Sequence, residues 1–387
     1  MQDAVLTRRH GLALVAAAGI GFLPRAGQTQ TADSIVLGGV FALTGPVRLI
    51  TEPYEQGARS YFNRVNKQGG IEGRPIRWLV EDDAYQPAKA LAGAKKLIER
   101  DNVAFLFGQM GTPTTAAIIP YAEQARVPFF SATPATPPAR TYTFSFMASY
   151  PEEMYEVMNH LVQKRQLKRI AYLYQNDDLG EAARAGIDRA MKENGTALAG
   201  TVGYERGTSD FGTHILKLRD AKPEAVISIG TAPTIASSIR QARAMGFTPL
   251  WATYGVGSSN VMQSLLGDDI EGLLFATEVL NQFSDDPEVQ ALKADLKVSY
   301  PDARADYATM LGYGHARLIV GVLQAVGSNV TRERVLEAAQ SKNGFPVGVM
   351  QPIRYDNQGR SGASALRIFQ WEAGKPQPRS EWIQIKH

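Results

Sequence analysis

Residues 103–124 read VAFLFGQMGTPTTAAIIPYAEQ, and this stretch shows which kind of fold the chain adopts. The apolar run from Ala104 to Phe107 predicts a buried strand, and the run that begins at the threonines predicts a helix. A turn containing Gly108 and Gly111 joins the two. In such a strand–turn–helix unit, the free backbone amides at the start of the helix can bind an anion. It is not a phosphate loop, because the Gly-Lys-Ser/Thr ending of that motif is missing.

The same alternation of strand and helix runs through most of the sequence. Apolar strands are predicted at SIVLGGVFAL, RPIRWLVEDD, VAFLF, VPFFSA, RIAYLYQ, TALAGTVGYE, AVISIG and LWATYG. Amphipathic helices separate them, and continuous apolar strands of this kind are typical of parallel sheets covered on both faces. The predicted fold class is therefore α/β, with two successive doubly wound parallel-sheet units. Residues 275–387 are less regular and predict helices near Asp286–Ser299, Ala305–Val326 and Arg332–Ala339.

Composition narrows the classes of function. The chain has 387 residues, a formal net charge of +3, 20% charged residues and no cysteine. This length suits two domains. A chain without cysteine can form neither disulfides nor thiolate metal sites. Because no block of basic residues is present, we expect no nucleic-acid partner.

The N-terminal residues predict export. Residues 7–27 read TRRHGLALVAAAGIGFLPRAG, in which an arginine pair, Arg8 and Arg9, precedes an apolar stretch from Gly11 to Leu23. That stretch is short for a membrane span and is typical of a signal peptide, here of the twin-arginine kind. We expect residues 1–33 to be a cleaved signal peptide and the mature protein to be periplasmic. An N-terminal membrane anchor is the alternative.

Motifs of catalysis and metal binding are missing from the sequence. Ser258 and Ser259 lack the spacing of a nucleophile elbow, and no H-E-x-x-H or G-x-G-x-x-G motif occurs. None of the five histidines is paired with another at metal-ligand spacing. We therefore expect no catalytic residue, no metal, no cofactor and no enzymatic activity. Glu81–Asp83 are interpreted as a solvated strand end, with a metal or acid–base role as the alternative. Asp177 and Asp178 are interpreted as helix N-caps, with contact to a ligand as the alternative.

Several stretches together resemble a known family. They are VLGGVFALTGP (36–46), residues 57–98 with the spacing NKQGGIEGRPI…EDDAYQP, VAFLFGQMGT (103–112), ARVPFFSATPAT (125–136) and IRQARAMGF (239–247). From about Ser34 to its end the chain resembles type I periplasmic solute-binding proteins of the leucine/isoleucine/valine group, which serve ABC importers. The resemblance implies two lobes that close on a small ligand by a hinge motion, without chemistry. It also implies delivery to an ABC permease and its ATPase in the inner membrane, and we expect a monomer.

The family resemblance also implies how the chain divides between the lobes. Lobe 1 is expected to comprise residues 34–146 plus 281–352, and lobe 2 residues 147–280 plus 353–387. Three crossovers would join the lobes, with hinges near Phe144–Ser149, Thr277–Asn281 and Pro352–Tyr355.

Ligand-holding residues follow from the same resemblance. Amino-acid binders of the family hold the ligand carboxylate with a hydroxyl residue after the third strand, and this position resembles Thr112, next to Gly111. A second contact loop resembles Ala132–Thr136, where Thr133 and Thr136 carry the hydroxyls. Free amides at a helix start favour a carboxylate, and hydroxyl donors add charge-assisted hydrogen bonds. The alternative role of these threonines is helix capping.

The second lobe departs from the amino-acid pattern. Tyr254 stands where those binders have a glutamate that pairs with the ligand ammonium, and a buried ammonium without a counter-charge is costly. Leu179 and Thr231 stand where the binders have tyrosines. All three differences indicate that the ligand is not an α-amino acid.

The remaining candidates complete a site for an organic acid. Arg48 is a candidate carboxylate clamp, with a solvent-facing arginine as the alternative. Phe41, Met110, Tyr254 and Leu179 would supply apolar or aromatic walls. We expect a carboxylate with a hydrophobic or aromatic body. A branched-chain or other amino acid, a neutral amide, and a sensing receptor that signals to a partner protein are the alternatives.

Overall fold

The structure is a computed structural model that describes residues 34–45, 47–134, 140–341, 344–355 and 361–385. The predicted signal peptide, residues 1–33, and the candidate Thr136 lie outside the described residues. Within the described ranges, no helix combines the length and apolar character needed to cross a membrane.

The first sheet is entirely parallel. Its strands lie in the order β2-β1-β3-β4-β5. They are β1 (Ile35–Phe41), β2 (Ile76–Asp82), β3 (Leu106–Gln109), β4 (Phe129–Ser131) and β5 (Thr143–Ser145). The helices between them are α1 (Arg48–Lys67), α2 (Pro87–Glu99) and α3 (Thr112–Gln124). Strands β1, β3, β4 and β5 are buried along almost their whole length, as expected for a parallel sheet covered by helices on both faces, whereas the edge strand β2 is partly exposed. We call this sheet with its helices lobe 1.

The second sheet combines a parallel centre with an antiparallel edge. Its order is β12-β11-β10-β9-β8-β6-β7, and β11 runs antiparallel to β10. The strands are β6 (Ile170–Gln175), β7 (Gly200–Tyr204), β8 (Ala225–Ile229), β9 (Leu250–Thr253), β10 (Leu274–Thr277), β11 (Ala365–Glu372), β12 (Lys375–Pro378) and β13 (Ile383–Gln384). The helices are α4 (Tyr150–Asn159), α5 (Asp178–Asn194), α6 (Gly212–Asp220), α7 (Ala232–Ala244) and α8 (Asn260–Leu266). We call this part lobe 2.

After β10 the chain returns to lobe 1 before it re-enters lobe 2. The helices α9 (Pro287–Ser299), α10 (Tyr307–Val326) and α11 (Arg332–Ala339) follow. Helix α10 packs tightly on α1, since a Cβ added to Gly312 would lie 1.9 Å from the carbonyl oxygen of Tyr54. Strand β11 then leads back to the second sheet. The predicted α/β fold of two lobes joined by three crossovers is confirmed, while the residue boundaries of the lobes stay a prediction.

The acidic residues at the end of β2 shape the loops beside the site. Asp82 accepts hydrogen bonds from the Leu43 amide at 2.8 Å and from the Thr44 hydroxyl at 2.7 Å, and so orders the loop after β1. Asp83 accepts the amide of Tyr85 at 2.7 Å, and Tyr85 adopts a left-handed φ of 60°. The interpretation as strand-end residues therefore has a structural basis, because these contacts hold Tyr85 in place.

Candidate functional site

The main cavity lies between the two lobes at the carboxyl ends of their parallel strands, where open α/β sheets bind ligands. It holds roughly 600 Å³ of space, part of it open to solvent. The residues that line it are Val47, Ile50, Tyr85, Met110, Gly111, Thr112, Thr133, Met147, Tyr150, Leu179, Gly230, Thr231, Ala232, Pro233, Tyr254, Val256, Tyr307 and Leu311.

The lobe 1 wall is the turn between β3 and α3. Gly111 has a φ of 132°, and a Cβ there would lie 2.6 Å from the Thr114 hydroxyl oxygen, so only glycine fits. The Gly111 amide donates to the hydroxyl oxygen of Thr133 at 2.9 Å. The Thr112 hydroxyl lies 3.3 Å from the Tyr150 hydroxyl of lobe 2. Because the first amides of a helix have no partner within it, this turn can present donors to an anion.

Tyr254 forms part of the opposite wall. Its hydroxyl donates to the carbonyl oxygen of Gly230 at 3.0 Å, within lobe 2. Its ring meets the ring of Tyr150 edge to face, with centroids 5.5 Å apart. Tyr254 therefore contributes an aromatic surface, and its polar atom already has a partner.

Helix starts surround the cavity. Thr112, Leu179, Ala232 and Tyr307 lie in the first turns of α3, α5, α7 and α10, and all four line the cavity. Each helix start carries a partial positive charge, which favours an anion.

The ionisable groups in the walls are tyrosines. Burial raises the pKa values of Tyr85, Tyr150, Tyr254 and Tyr307, so all four hydroxyls stay neutral. None of the described residues that line the cavity carries a formal charge. The Tyr307 hydroxyl is buried and has no hydrogen-bond partner among the described residues. The cavity is thus apolar, with neutral hydroxyls and helix amides as its donors.

The structure brings seven of the ten predicted site residues to this cavity. They are Met110, Gly111, Thr112, Thr133, Leu179, Thr231 and Tyr254. Phe41 is fully buried and packs on Trp78, with ring centroids 5.5 Å apart, so it belongs to the lobe 1 core. The Arg48 side chain is 55% exposed and pairs with Glu52 at 3.1 Å, as a solvent-facing arginine would. Thr136 is outside the described residues.

Several lining residues were missed by the sequence reasoning. Tyr85 lies two residues after Asp83, just beyond the end of β2, and Tyr150 is the first residue of α4 after a crossover. Tyr307 follows Asp306, which caps α10 with a reciprocal pair of hydrogen bonds to Thr309. An aromatic residue at the start of a capped helix is a signal that could have been noticed, although it does not show which cavity the ring faces.

The mouth of the cleft is bridged by Arg206. Its guanidinium lies 5.0 Å from the ring centroid of Tyr85 in lobe 1 and pairs with Asp177 of lobe 2 at 2.8 Å. Asp177 also caps α5, accepting the Leu179 amide at 3.1 Å. Asp177 therefore acts as the predicted cap, and its ion pair orients a side chain that connects the lobes.

Comparisons with known proteins agree with this architecture. A sequence model of the family described as periplasmic binding protein matches residues 34–376. The chain is 25% identical over 372 residues to the leucine-, isoleucine-, valine-, threonine-, and alanine-binding protein of Pseudomonas aeruginosa, covering 94% of this chain and 96% of that protein.

Two solved structures share the fold. One is a branched-chain amino acid ABC transporter protein from Thermus thermophilus with bound valine, with a TM-score of 0.84 and 20% identity over 92% of this chain and 97% of that chain. The other is a fatty acid ABC transporter substrate-binding protein from Thermomonospora curvata, with a TM-score of 0.83 and 21% identity over 92% of this chain and 93% of that chain. At these identities the two neighbours establish the fold alone.

Proposed function

The chain belongs to the periplasmic binding protein family, and from this premise we propose that it captures a small carboxylate with an apolar body between its lobes. The observation that carries the proposal is the β3–α3 turn, where the buried Thr112 hydroxyl stands at the start of a helix facing an uncharged cavity. The closed protein would then present its ligand to an ABC permease and ATPase. We further propose that it acts as an exported monomer and performs no chemistry on the ligand.

A carboxylate suits the lobe 1 wall for two physical reasons. Hydrogen bonds from neutral hydroxyls and amides to an ionised acceptor are stronger than those between neutral groups. The start of α3 adds roughly 0.3–1 kcal/mol, up to about 2 kcal/mol where it is partly buried. Thr112 is 4% exposed, which places it near the upper end of that range.

The body of the ligand is expected to be apolar. Ile50, Met110, Met147, Leu179 and Val256 line the remaining walls together with aromatic rings. Burying apolar surface contributes roughly 25 cal/mol per Å². A four- or five-carbon branched chain, or a small aromatic ring, would use this surface.

Among the described residues, no side chain that lines the cavity offers an ammonium a direct counter-charge, and this favours an organic acid without an ammonium group. Tyr254, which stands where a glutamate would pair with an ammonium, has its hydroxyl bonded to Gly230. No described lining residue is charged. An ammonium here would lose its hydration without an ion pair. This supports the first candidate ligand, a hydrophobic or aromatic carboxylate.

A branched-chain amino acid is the second candidate. It is supported by the similarity to the Pseudomonas aeruginosa relative, whose name includes leucine, isoleucine and valine. An ammonium could be held over the faces of Tyr150 and Tyr254 by cation–π attraction, worth about 2 kcal/mol when desolvated. The overall similarity to amino-acid binders favours this candidate, and the local chemistry of the cavity favours the first.

Three ligands of one shape separate these candidates. Leucine carries both charged groups, 4-methylpentanoate carries only the carboxylate, and 3-methylbutylamine carries only the ammonium. Calorimetric titration of the purified mature protein with each gives the dissociation constants directly. We expect both carboxylates to bind in preference to the amine, and 4-methylpentanoate to bind more tightly than leucine. Tighter binding of leucine would establish the amino-acid candidate, whereas binding of the amine alone would refute the carboxylate proposal.

A further inference from the structure

Two buried carboxyl groups lie close to the tyrosines that line the cavity. Glu153 stands on α4, and Glu278 directly follows β10; both are fully buried. No hydrogen bond of normal geometry reaches their four carboxyl oxygens from the described residues. The two carboxyls interact with each other, and the amides of Gly255 and Ala148 favour their charged forms. Burying two acids together without a cationic partner among the described residues is costly to fold, so the pair calls for an explanation.

Their position connects the cavity with the crossovers between the lobes. Glu153 lies one helical turn after Tyr150, which lines the cavity, and the Gly255 amide follows Tyr254, which also lines it. Tyr307, the third of these tyrosines, has an unpartnered buried hydroxyl. Glu278 stands where the chain leaves the second sheet for lobe 1. The pair therefore lies close to Tyr150, Tyr254 and Tyr307, three of the residues that line the cavity.

Among the described residues, the side chains that interact with the two carboxyls carry no positive charge. Besides each other, the ionisable side chains that interact with the two carboxyls are Tyr150, Tyr254 and Tyr307. Burial holds all three tyrosines neutral. Any negative charge on the pair therefore interacts electrostatically with a ligand in the cavity.

Protonation determines how much charge the pair carries. Burial raises the pKa of Glu278 to about 7. Burial, reinforced by the nearby charge of Glu278, raises the pKa of Glu153 well above its usual value. Near neutral pH the two carboxyls therefore do not both carry a full negative charge, and the pair titrates as a unit. A charge change in the cavity shifts this titration, because opposite charges favour ionisation and like charges oppose it.

We propose that Glu153 and Glu278 couple ligand capture to proton uptake, so that the cavity binds an anionic ligand more tightly as the pH falls. This inference rests on the proposed carboxylate ligand and adds a determinant of its charge preference. An anion in the cavity opposes ionisation of Glu278, and the pair takes up a proton from solution. A zwitterion brings both signs of charge, so its capture is coupled to the proton more weakly.

The test uses calorimetry of the intact mature protein with 4-methylpentanoate as the probe. Titrations at pH 7 in phosphate and in Tris report proton uptake, because the two buffers differ in heat of ionisation. The dissociation constant is then measured from pH 6 to pH 8.5. We expect uptake of up to one proton and weaker binding at each higher pH, by at most tenfold per pH unit for a single proton. Leucine, if it binds, should show a smaller slope.

Variants assign the effect to the pair. The double variant Glu153→Gln/Glu278→Gln should bind 4-methylpentanoate with a dissociation constant independent of pH and without proton uptake, because neither carboxyl is left to titrate. Glu52→Gln, a change at an exposed carboxylate beside Arg48, is the control and should behave as the unmodified protein. The unmodified protein alone already tests proton uptake if a variant fails to fold.

The outcomes separate this inference from the proposed function. Binding of 4-methylpentanoate with the same dissociation constant at pH 6 and pH 8.5 would overturn proton coupling and leave the carboxylate proposal standing. Coupling that survives in the double variant would overturn the assignment to this pair. If 4-methylpentanoate, benzoate and leucine all fail to bind, the proposed function itself is refuted, and proton-coupled anion capture is refuted with it.

Discussion

Replacing Thr112 with valine should weaken binding of a carboxylate ligand while leaving the fold intact. The residue is 4% exposed, begins α3, and has its hydroxyl 3.3 Å from the Tyr150 hydroxyl, a long contact that a ligand oxygen can replace. Valine keeps the shape of threonine and removes only the donor. A hydrogen bond to a charged group contributes about 1.5–3 kcal/mol. At about 1.4 kcal/mol per factor of ten, the dissociation constant should rise roughly ten- to a hundredfold.

The assay is calorimetric titration with 4-methylpentanoate, with thermal unfolding as the check on the fold. Thr112→Ser keeps the hydroxyl and is the matched control, for which we expect a change of roughly threefold or less, because only a methyl group is lost. Both unliganded variants should unfold within a few degrees of the unmodified protein. The reasoning is refuted if valine and threonine bind the ligand equally well. It is also refuted if the serine variant loses as much affinity as the valine variant.

Four further predictions follow from other contacts. Arg48→Ala should leave the dissociation constant of 4-methylpentanoate unchanged in calorimetry, since the side chain is exposed and paired with its neighbour on α1; a tenfold loss would restore it as a carboxylate clamp. Arg206→Ala should weaken ligand binding roughly two- to fivefold, because the contact of Arg206 with Tyr85 across the cleft contributes about 0.5–1 kcal/mol. The loss should appear as faster ligand dissociation in stopped-flow measurements, and an unchanged dissociation rate would contradict a bridging role. Gly312→Ala should lower the free energy of unfolding in urea by about 1–3 kcal/mol, because the added methyl group meets the α1 backbone; a variant of equal stability would contradict the close packing of α1 and α10. Glu278→Gln should gain stability relative to the unmodified protein as the pH rises from 5 to 8. A buried acid whose pKa is raised from 4.5 to about 7 binds its proton more tightly in the folded state, so the unmodified protein loses up to roughly 3 kcal/mol over that interval. Parallel pH profiles of unfolding for the two proteins would contradict this prediction.

The fold could be predicted because its signals are local. The turn from β3 to α3 shows an apolar strand, glycines and a helix start within consecutive residues, and the same pattern repeats along both lobes. The antiparallel edge of lobe 2 was harder to predict from the sequence. Strand β11 pairs with β10 from a distant part of the chain, and this pairing depends on the crossover rather than on any nearby sequence pattern.

The site residues differ in the same way, because some could be predicted from the local sequence and others could not. Thr112, Thr133, Thr231 and Leu179 lie within four residues of the ends of parallel strands. Parallel topology therefore brings them to one edge of each sheet, and all four line the cavity. Tyr307 reaches the same cavity from α10, far along the chain, and only tertiary packing shows this.

Two candidates show why position near a strand end is insufficient. Every side chain near the end of β1 is buried, so the sequence pattern does not reveal that Phe41 faces the lobe 1 core. Arg48 is the first residue of α1, and an ion pair one turn along with Glu52 holds it at the surface. Side-chain direction decides both cases, and it depends on neighbours that the local sequence does not fix.

The most direct test of the central claim is a crystal structure of the mature protein grown with 4-methylpentanoate, or with leucine if leucine binds more tightly. The account predicts electron density for one ligand between the lobes. Its carboxylate should lie within hydrogen-bonding distance of the Thr112 hydroxyl and the first amides of α3, and its carbon chain should contact Met110, Leu179 and Tyr254. A ligand that directs its carboxylate toward lobe 2, or that binds outside this cavity, would contradict the account.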